Sequence, residues 1–418
     1  MRLPALACVP FACLLGLASA QSFVDVTPSG AVINRSVSLD PRDPAHLLVE
    51  SSTLFESFDG GNSWVNLASL TGNIGAFDGN GDLVFASSST PVSAGQTLRR
   101  RTSSGLEVLS LPSVTAGDPE QFISGVICHP TRPDSLAILT IADDPVSGDI
   151  LQRVYLTLNG GDAWNLVELA VSDGNSYQNL GSVEFVPNAA GGGLLVSWTY
   201  EELRFSTATV FLWDLDLSGA SNEVSVTDSS CGVAAPRTLP GRRYAFESNG
   251  PVWMPGPVAI QRRDPGGTYG PVGDQGFFRD VAAGKVDPEL VLRLEPQNGS
   301  IVLSASRDGG QTWSLLLDAG AAGYSLESIF GLTSTDGHAY VRARETTLNE
   351  RRLLRVPVET LVSDLDCAGV PNSTGRAGAL AAIGQPEASA NRYLLSIRDL
   401  PAGTFNLPIA GRDAGFVV

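Results

Sequence analysis

The residues of this chain best suited to chemistry are two acidic groups with aromatic company. Asp143, Asp144 and Asp149 lie in one segment, and Glu201 and Glu202 follow Trp198 and Tyr200 in another. Two carboxyl groups at a suitable separation, one kept protonated by its surroundings, are enough to hydrolyse a glycosidic bond. Trp198 and Tyr200 would then stack on the sugar. The plainer reading makes the acids solvated loop tips on an acidic chain, since 44 acidic residues face 27 basic ones for a net charge of −17.

Other chemistries find less support. Asp78-Gly79-Asn80-Gly81-Asp82 has the oxygen spacing that opens a calcium loop, but Leu83 stands where glycine is required and no bidentate glutamate follows. It reads as a tight turn. No glycine-rich phosphate loop opens a helix, and Lys285 is the chain's one lysine. No metal or cofactor is expected. Arg99-Arg100-Arg101 and Arg351-Arg352 read as strand residues that form ion pairs between repeat units.

Residues 1–20 have the form of an export signal: Arg2, an apolar run from Leu3 to Leu17, and Ala18-Ser19-Ala20 before Gln21. The expected location is therefore the periplasm or the medium. No second apolar stretch is long enough to span a bilayer. Removing the signal leaves Cys128, Cys231 and Cys367, too few and too scattered for a disulfide framework and read as buried thiols. The acidic balance disfavours nucleic acid and anionic membranes as partners.

What must position these residues is a repeat. Ser57-Phe58-Asp59-Gly60-Gly61-Asn62-Ser63-Trp64 returns as Thr157-Leu158-Asn159-Gly160-Gly161-Asp162-Ala163-Trp164 and as Ser306-Arg307-Asp308-Gly309-Gly310-Gln311-Thr312-Trp313. A weaker copy ends in Asp264-Pro265-Gly266-Gly267-Thr268-Tyr269. Each is a β-hairpin turn in which Asp or Asn caps the backbone, Gly takes a positive φ and an aromatic begins the returning strand. The tryptophans are 100 and 149 residues apart, close to two and three periods of about 50. Strand, Pro-bearing turn, strand, loop, strand, recurrent turn, strand describes one four-stranded antiparallel blade.

The motif resembles the Asp box of the BNR-repeat β-propellers, which include sialidases and sortilin-like receptors. The resemblance implies a single all-β propeller over residues 21–418. Asp59, Gly61, Trp64, Asn159, Gly161, Trp164, Asp264, Gly266, Tyr269, Asp308, Gly310 and Trp313 would hold its hairpins and lie away from the ligand. Eight units are counted, with closing strands near 64, 108, 164, 224, 269, 313, 361 and 405, although seven blades are also compatible. Phe23-Val24-Asp25-Val26 is expected to pair into the last blade and protect its edge. The stretch 345–365 is the best helical competitor, broken by Pro357.

In this frame His46, His129 and His338 fall in turns between first and second strands of three different units. That separation argues against a catalytic triad or a multi-histidine metal site. The sialidases' Arg-Ile-Pro motif is absent, with Asn34-Arg35-Ser36 standing nearest. The expected function is an exported, monomeric binding scaffold for a protein, peptide or carbohydrate, bound on the loops opposite the recurrent turns. The alternative is a sialidase-like glycoside hydrolase using the acidic loops at 141–152 and 199–208.

Overall fold

The computed structural model describes residues 23–358, except 34–35, 71, 88–91, 93–95, 114–119, 144–149, 173–175, 187–191, 203–204, 215–219, 228–229, 240, 249–257 and 277, together with 379–383 and 394–398. The described residues are almost entirely strand, with short 3-10 turns such as Ala68–Leu70 and Gly320–Ala322. None of their helices is long and apolar enough to cross a membrane.

Seven four-stranded antiparallel sheets follow one another along the chain. Blade one comprises Val37–Leu39, Leu47–Glu50, Leu54–Ser57 and Val65–Asn66, and blade two Ile74–Phe77, Leu83–Ala86, Leu98–Thr102 and Gly105–Leu109. Blade three comprises Gln121–Cys128, Leu136–Asp143, Ile150–Thr157 and Asn165–Ser172. Blade four comprises Ser176–Val186, Gly193–Glu202, Phe205–Asp214 and Ala220–Thr227. Blades five and six begin at Ser230–Ala234 and Asp280–Ala283 and end at Gly270–Gly276 and Ser314–Leu317. Blade seven takes Tyr324–Leu332, His338–Glu345 and Glu350–Pro357 from the end of the ring, and its fourth strand from the beginning: Val24 and Asp25 pair with Arg355 and Leu354.

The first strands of successive blades touch in cyclic order, and that of blade seven touches that of blade one. The sheets therefore close into a propeller. The second strands of blades one and two, covered on both sides by neighbouring blades, carry apolar runs such as Leu47-Leu48-Val49 and are buried throughout. Outer strands are exposed, as at Val65–Asn66. The core is correspondingly divided. One apolar cluster fills each of the seven seams; Ile74, Val84 and Leu98 of blade two, for example, pack on Ile138 and Tyr155 of blade three. No blade has a core of its own, so the ring is the smallest unit that hides its apolar surface.

Seven blades, not the eight preferred from the sequence, make the ring. The unit expected to close near 361 takes its outer strand from the N-terminus instead, and of residues 376–418 the structure describes a two-stranded hairpin, Ala379–Ile383 with Leu394–Arg398. The helical competitor is strand over Glu350–Pro357. The stretch 78–82 is a tight turn in which Asp78 Oδ1 accepts the Asn80 and Asp82 amides (2.8 and 3.1 Å).

Candidate functional site

Each recurrent turn is built by its own side chains. The Ser57 hydroxyl donates to Asp59 Oδ1 (2.9 Å) and accepts the Gly61 amide (2.8 Å), while Asp59 Oδ1 accepts the Ser63 amide (2.8 Å). Thr157, Asn159 and Gly161 make the same bonds in blade three, and Ser306, Asp308 and Gly310 make them in blade six. Gly61, Gly161 and Gly310 hold φ of 89°, 101° and 94°, where a β-carbon is strained. In the weaker copy Gly266 has φ 73° and Tyr269 packs into the seam between blades four and five.

The indoles differ. Trp64 Nε1 donates to Val26 O (2.8 Å), beside the strand that closes the ring, and Trp164 Nε1 donates to Ser110 O (2.9 Å), just past blade two's outer strand. Trp313 Nε1 stays within its own turn, donating to Gly310 O (3.0 Å).

The turn between first and second strands lies against the recurrent turn. Gly60, Gly160 and Gly309 donate to the carbonyls of Ala45, Asp134 and Glu289 (2.8, 2.8 and 2.9 Å), so both sets of turns share one face. The preceding blade then clamps them. Arg355 and the Tyr340 hydroxyl of blade seven both donate to Gly60 O (2.7 and 3.1 Å). Arg262 of blade five donates to Gly309 O (3.0 Å), and Arg100 of blade two to Pro133 O (2.7 Å). One turn carbonyl in each of blades one, three and six is thereby occupied.

His46 has charged partners on both sides. Its Nδ1 lies 2.7 Å from Asp40 Oδ2 and its Nε2 2.9 Å from Glu56 Oε1, all three residues being buried, and Arg101 reaches Glu56 from blade two. Burial works against a charged imidazole, but the bonds to Asp40 and Glu56 outweigh it and carry the pKa up to about 9. Burial is likewise outweighed at Asp40 and Glu56, both held below the ordinary carboxyl values by their bonds to His46. An imidazolium with both nitrogens bonded cannot accept a proton, so this is a buried ion network and not a general base.

His129 is its opposite. Its Nδ1 accepts the Thr131 and Arg132 amides (3.2 and 3.1 Å), and burial, with repulsion from Arg132 and Arg237, pushes its pKa down to about 4. His338 opens the second strand of blade seven. The three histidines thus lie in three blades, as their positions in the repeat predict. Among the described residues no group of three or more His, Cys, Asp or Glu could hold a metal ion.

The opposite face carries the candidate acids. Asp143 ends the second strand of blade three, paired with Ile150; Asp144 and Asp149 lie outside the described residues. Tyr200, Glu201 and Glu202, expected on a loop at 199–208 beside Trp198, lie instead with Trp198 within the second strand of blade four, which runs to Glu202 and pairs with the strand that begins at Phe205. Long strands rather than long loops raise this face. Cys128 is a free thiol at the end of blade three's first strand, and Cys231 lies in blade five's first strand; Cys367 is outside the described residues.

No protein-family model and no curated protein matches this chain. Solved structures do. The chain resembles YCF48 bound to D1 peptide over 86% of its length and 100% of that chain, with TM-score 0.50 and 17% identity. YCF48 from Cyanidioschyzon merolae is matched over 81% and 99% at TM-score 0.50 and 16% identity. An oligogalacturonate lyase from Vibrio parahaemolyticus is matched over 82% and 95% at TM-score 0.57 and 9% identity. The likeness is one of fold.

Several residues that shape the turn face were not singled out in the sequence. The clamps Arg262 and Arg355 were lost among 26 arginines, which carry no marker of position. Lys285 reaches from blade six past blade five to Glu184 of blade four (3.2 Å), a contact only the closed ring creates. Arg101 pairs between blades, with Glu56, as expected. Arg351 and Arg352 instead pair within blade seven, with Glu327 (3.1 Å) and with Glu345 and Glu350 (2.9 and 2.7 Å), because acids on adjacent strands of the same sheet lie closer than any on the next blade.

Proposed function

We propose that this chain is an exported binding propeller of the BNR-repeat type that takes an extended segment of a protein or peptide on the face opposite its recurrent turns. The observation that carries the reading is the unequal height of that face. The second strand of blade four runs ten residues, against eight in blades three and seven, seven in blade six, six in blade five and four in each of blades one and two. The six residues by which it exceeds blades one and two add roughly 20 Å of strand, which makes blade four the high point of the ring mouth. Trp198 and Tyr200 belong to that strand and are the proposed contacts. On the turn face Gly60 O, Pro133 O and Gly309 O are already bonded to the preceding blades, which makes it the poorer platform. That a similar fold, YCF48, has been solved with a D1 peptide supports a peptide as the class of partner.

Export follows from the first 20 residues, and N-terminal sequencing of the mature protein should find Gln21. For binding, peptides selected from a display library on the purified protein would be mapped by hydrogen exchange. Protection of the hairpins around 136–157 and 193–214, with weaker binding after Trp198→Ala or Tyr200→Ala, is the expected result. Protection confined to the turns near residues 60, 160 and 309 would refute it.

A second reading rests on the placement of Asp143 and Glu201–Glu202 at the ends of hairpins on neighbouring blades. Carboxyls there would hydrolyse a glycoside, and turnover abolished by Asp144→Asn with Glu202→Gln would favour this reading over passive binding.

A further inference from the structure

The seam between blades five and six departs from the repeat. In blade one Val49 and Phe55 face each other across the second and third strands and are buried against blade seven; in blade three Ile138 and Tyr155 do the same against blade two. The shared turn fixes the correspondence. Val49, Ile138 and Arg293 each lie four residues beyond the carbonyl that accepts the first glycine amide. The equivalent pair in blade six is Arg293 and Ser304, opposed in the same way. An aromatic plug is replaced by serine and an aliphatic side chain by a guanidinium, and a cleft of about 330 Å³ opens there. That is the small end of ligand pockets.

The floor of the cleft is a charged network around Arg293. Arg293, 3% exposed, is stacked 4.0 Å from Trp313 and 4.7 Å from Phe278. Asp274 of blade five (2.9 Å) and Glu295 (2.7 Å) hold its two terminal nitrogens, and the Ser304 hydroxyl donates to Glu295. Gln297 stands at one end of the cleft and Gln311 at the other, both exposed, and their side-chain amides make no bond among the described residues. Leu315, 56% exposed, adds an apolar surface. Giving up the apolar interlock of blades one and three loses burial energy at this seam, and such departures belong where a ligand is recognised.

We propose that this cleft binds a neutral sugar residue. One guanidinium sits between two carboxylates, so an anion would be repelled by Asp274 and Glu295, and Arg293 already stands where a cation would pair with them. Their unused lone pairs accept from hydroxyls, the two amides both donate and accept, and the indole and Leu315 meet the C–H side of the ring. The site lies in a seam and is independent of the raised face proposed for peptide.

The test uses the full chain, isothermal titration and saturation-transfer NMR against a panel of neutral mono- and disaccharides at millimolar concentration. At least one sugar is expected to bind, and Gln297→Ala with Gln311→Ala should weaken it by about tenfold or more. Ser304→Tyr, which restores the plug of blade three, should abolish binding without lowering the unfolding temperature. Absence of binding by every sugar, binding that survives the plug, or displacement of the sugar by an oligo-arginine peptide that binds the cleft itself would each overturn the assignment.

Discussion

Asp40 and His129 occupy the same position in two blades and do the same work with different atoms. Asp40 Oδ1 accepts the amides of Arg42 and Asp43 (2.8 and 3.4 Å), and His129 Nδ1 accepts those of Thr131 and Arg132 (3.2 and 3.1 Å). The carboxylate of Asp40 is balanced by His46, six residues on; the imidazole of His129 must be neutral, because a protonated Nδ1 cannot accept. One turn therefore needs a histidine charged and the other needs a histidine uncharged.

His46 should limit stability on the alkaline side. Its pKa rises from 6.5 to about 9 on folding, so its contribution is complete below pH 6.5 and is lost as the pH climbs through about 9. The loss should be on the order of 2–3 kcal/mol. His46→Gln, which leaves Asp40 without its cation and Glu56 with Arg101 alone, should cost roughly 3–5 kcal/mol at neutral pH and flatten the alkaline limb. Urea unfolding at stepped pH measures both; an unchanged alkaline limb in the variant would count against the network.

His129 should limit it on the acid side. Its folded pKa, about 4, lies below the unfolded 6.5, so its contribution is complete above pH 6.5 and lost as the pH falls through about 4. His129→Asn, whose oxygen can cap the same amides without titrating, should retain most of the stability and shallow the acid limb. His129→Ala, leaving the two amides without an acceptor, should cost about 1–3 kcal/mol at pH 7.

Trp64→Phe tests the hold of the recurrent turn on the closing strand. The ring is kept and the N–H to Val26 O is lost, so a cost of about 1 kcal/mol is expected from unfolding in urea. Faster amide exchange at Leu353 and Leu354 should accompany it, because that strand pairs with Val24 and Asp25. Unchanged exchange there would show that the indole is not what holds the strand.

Gly61→Ala should be far worse than Gly266→Ala. Both have positive φ, but a β-carbon on Gly61 would come within 2.8 Å of the Val26 β-carbon, whereas none of Gly266's surroundings lies within 4 Å. Backbone strain of about 1 kcal/mol is common to both; the clash with the closing strand adds to the first alone. Unfolding temperatures of the two variants decide the matter.

The recurrent turn was legible because its chemistry is local: Ser57, Asp59, Gly61 and Trp64 are bonded within eight residues, so spacing alone recovers hairpin, period and face. The N-terminal strand pairs into the last blade as expected, but that blade is the unit near 361 and not an eighth, because nothing local marks that Arg355 and Leu354 take Val24 and Asp25, more than three hundred residues away, as their neighbours. The stretch from Thr199 to Glu202 reads as a loop because Thr199-Tyr200-Glu201-Glu202 lacks alternation, although its register with Phe205–Ala208 and Ser176–Asn179 extends the strand of Trp198. The cleft at Arg293 was illegible for a different reason: its meaning lies in the contrast with Val49 and Ile138, which appears only after the blades are superposed turn on turn.

A closing strand taken from the start of the chain also sets an order of events. Val24 and Asp25 are made early, yet their partners Arg355 and Leu354 come off the ribosome more than three hundred residues later, so until then the closing strand has no sheet to join. The ring is finished late and in one step. Any escort that this polypeptide needs must stay with it until its two ends meet.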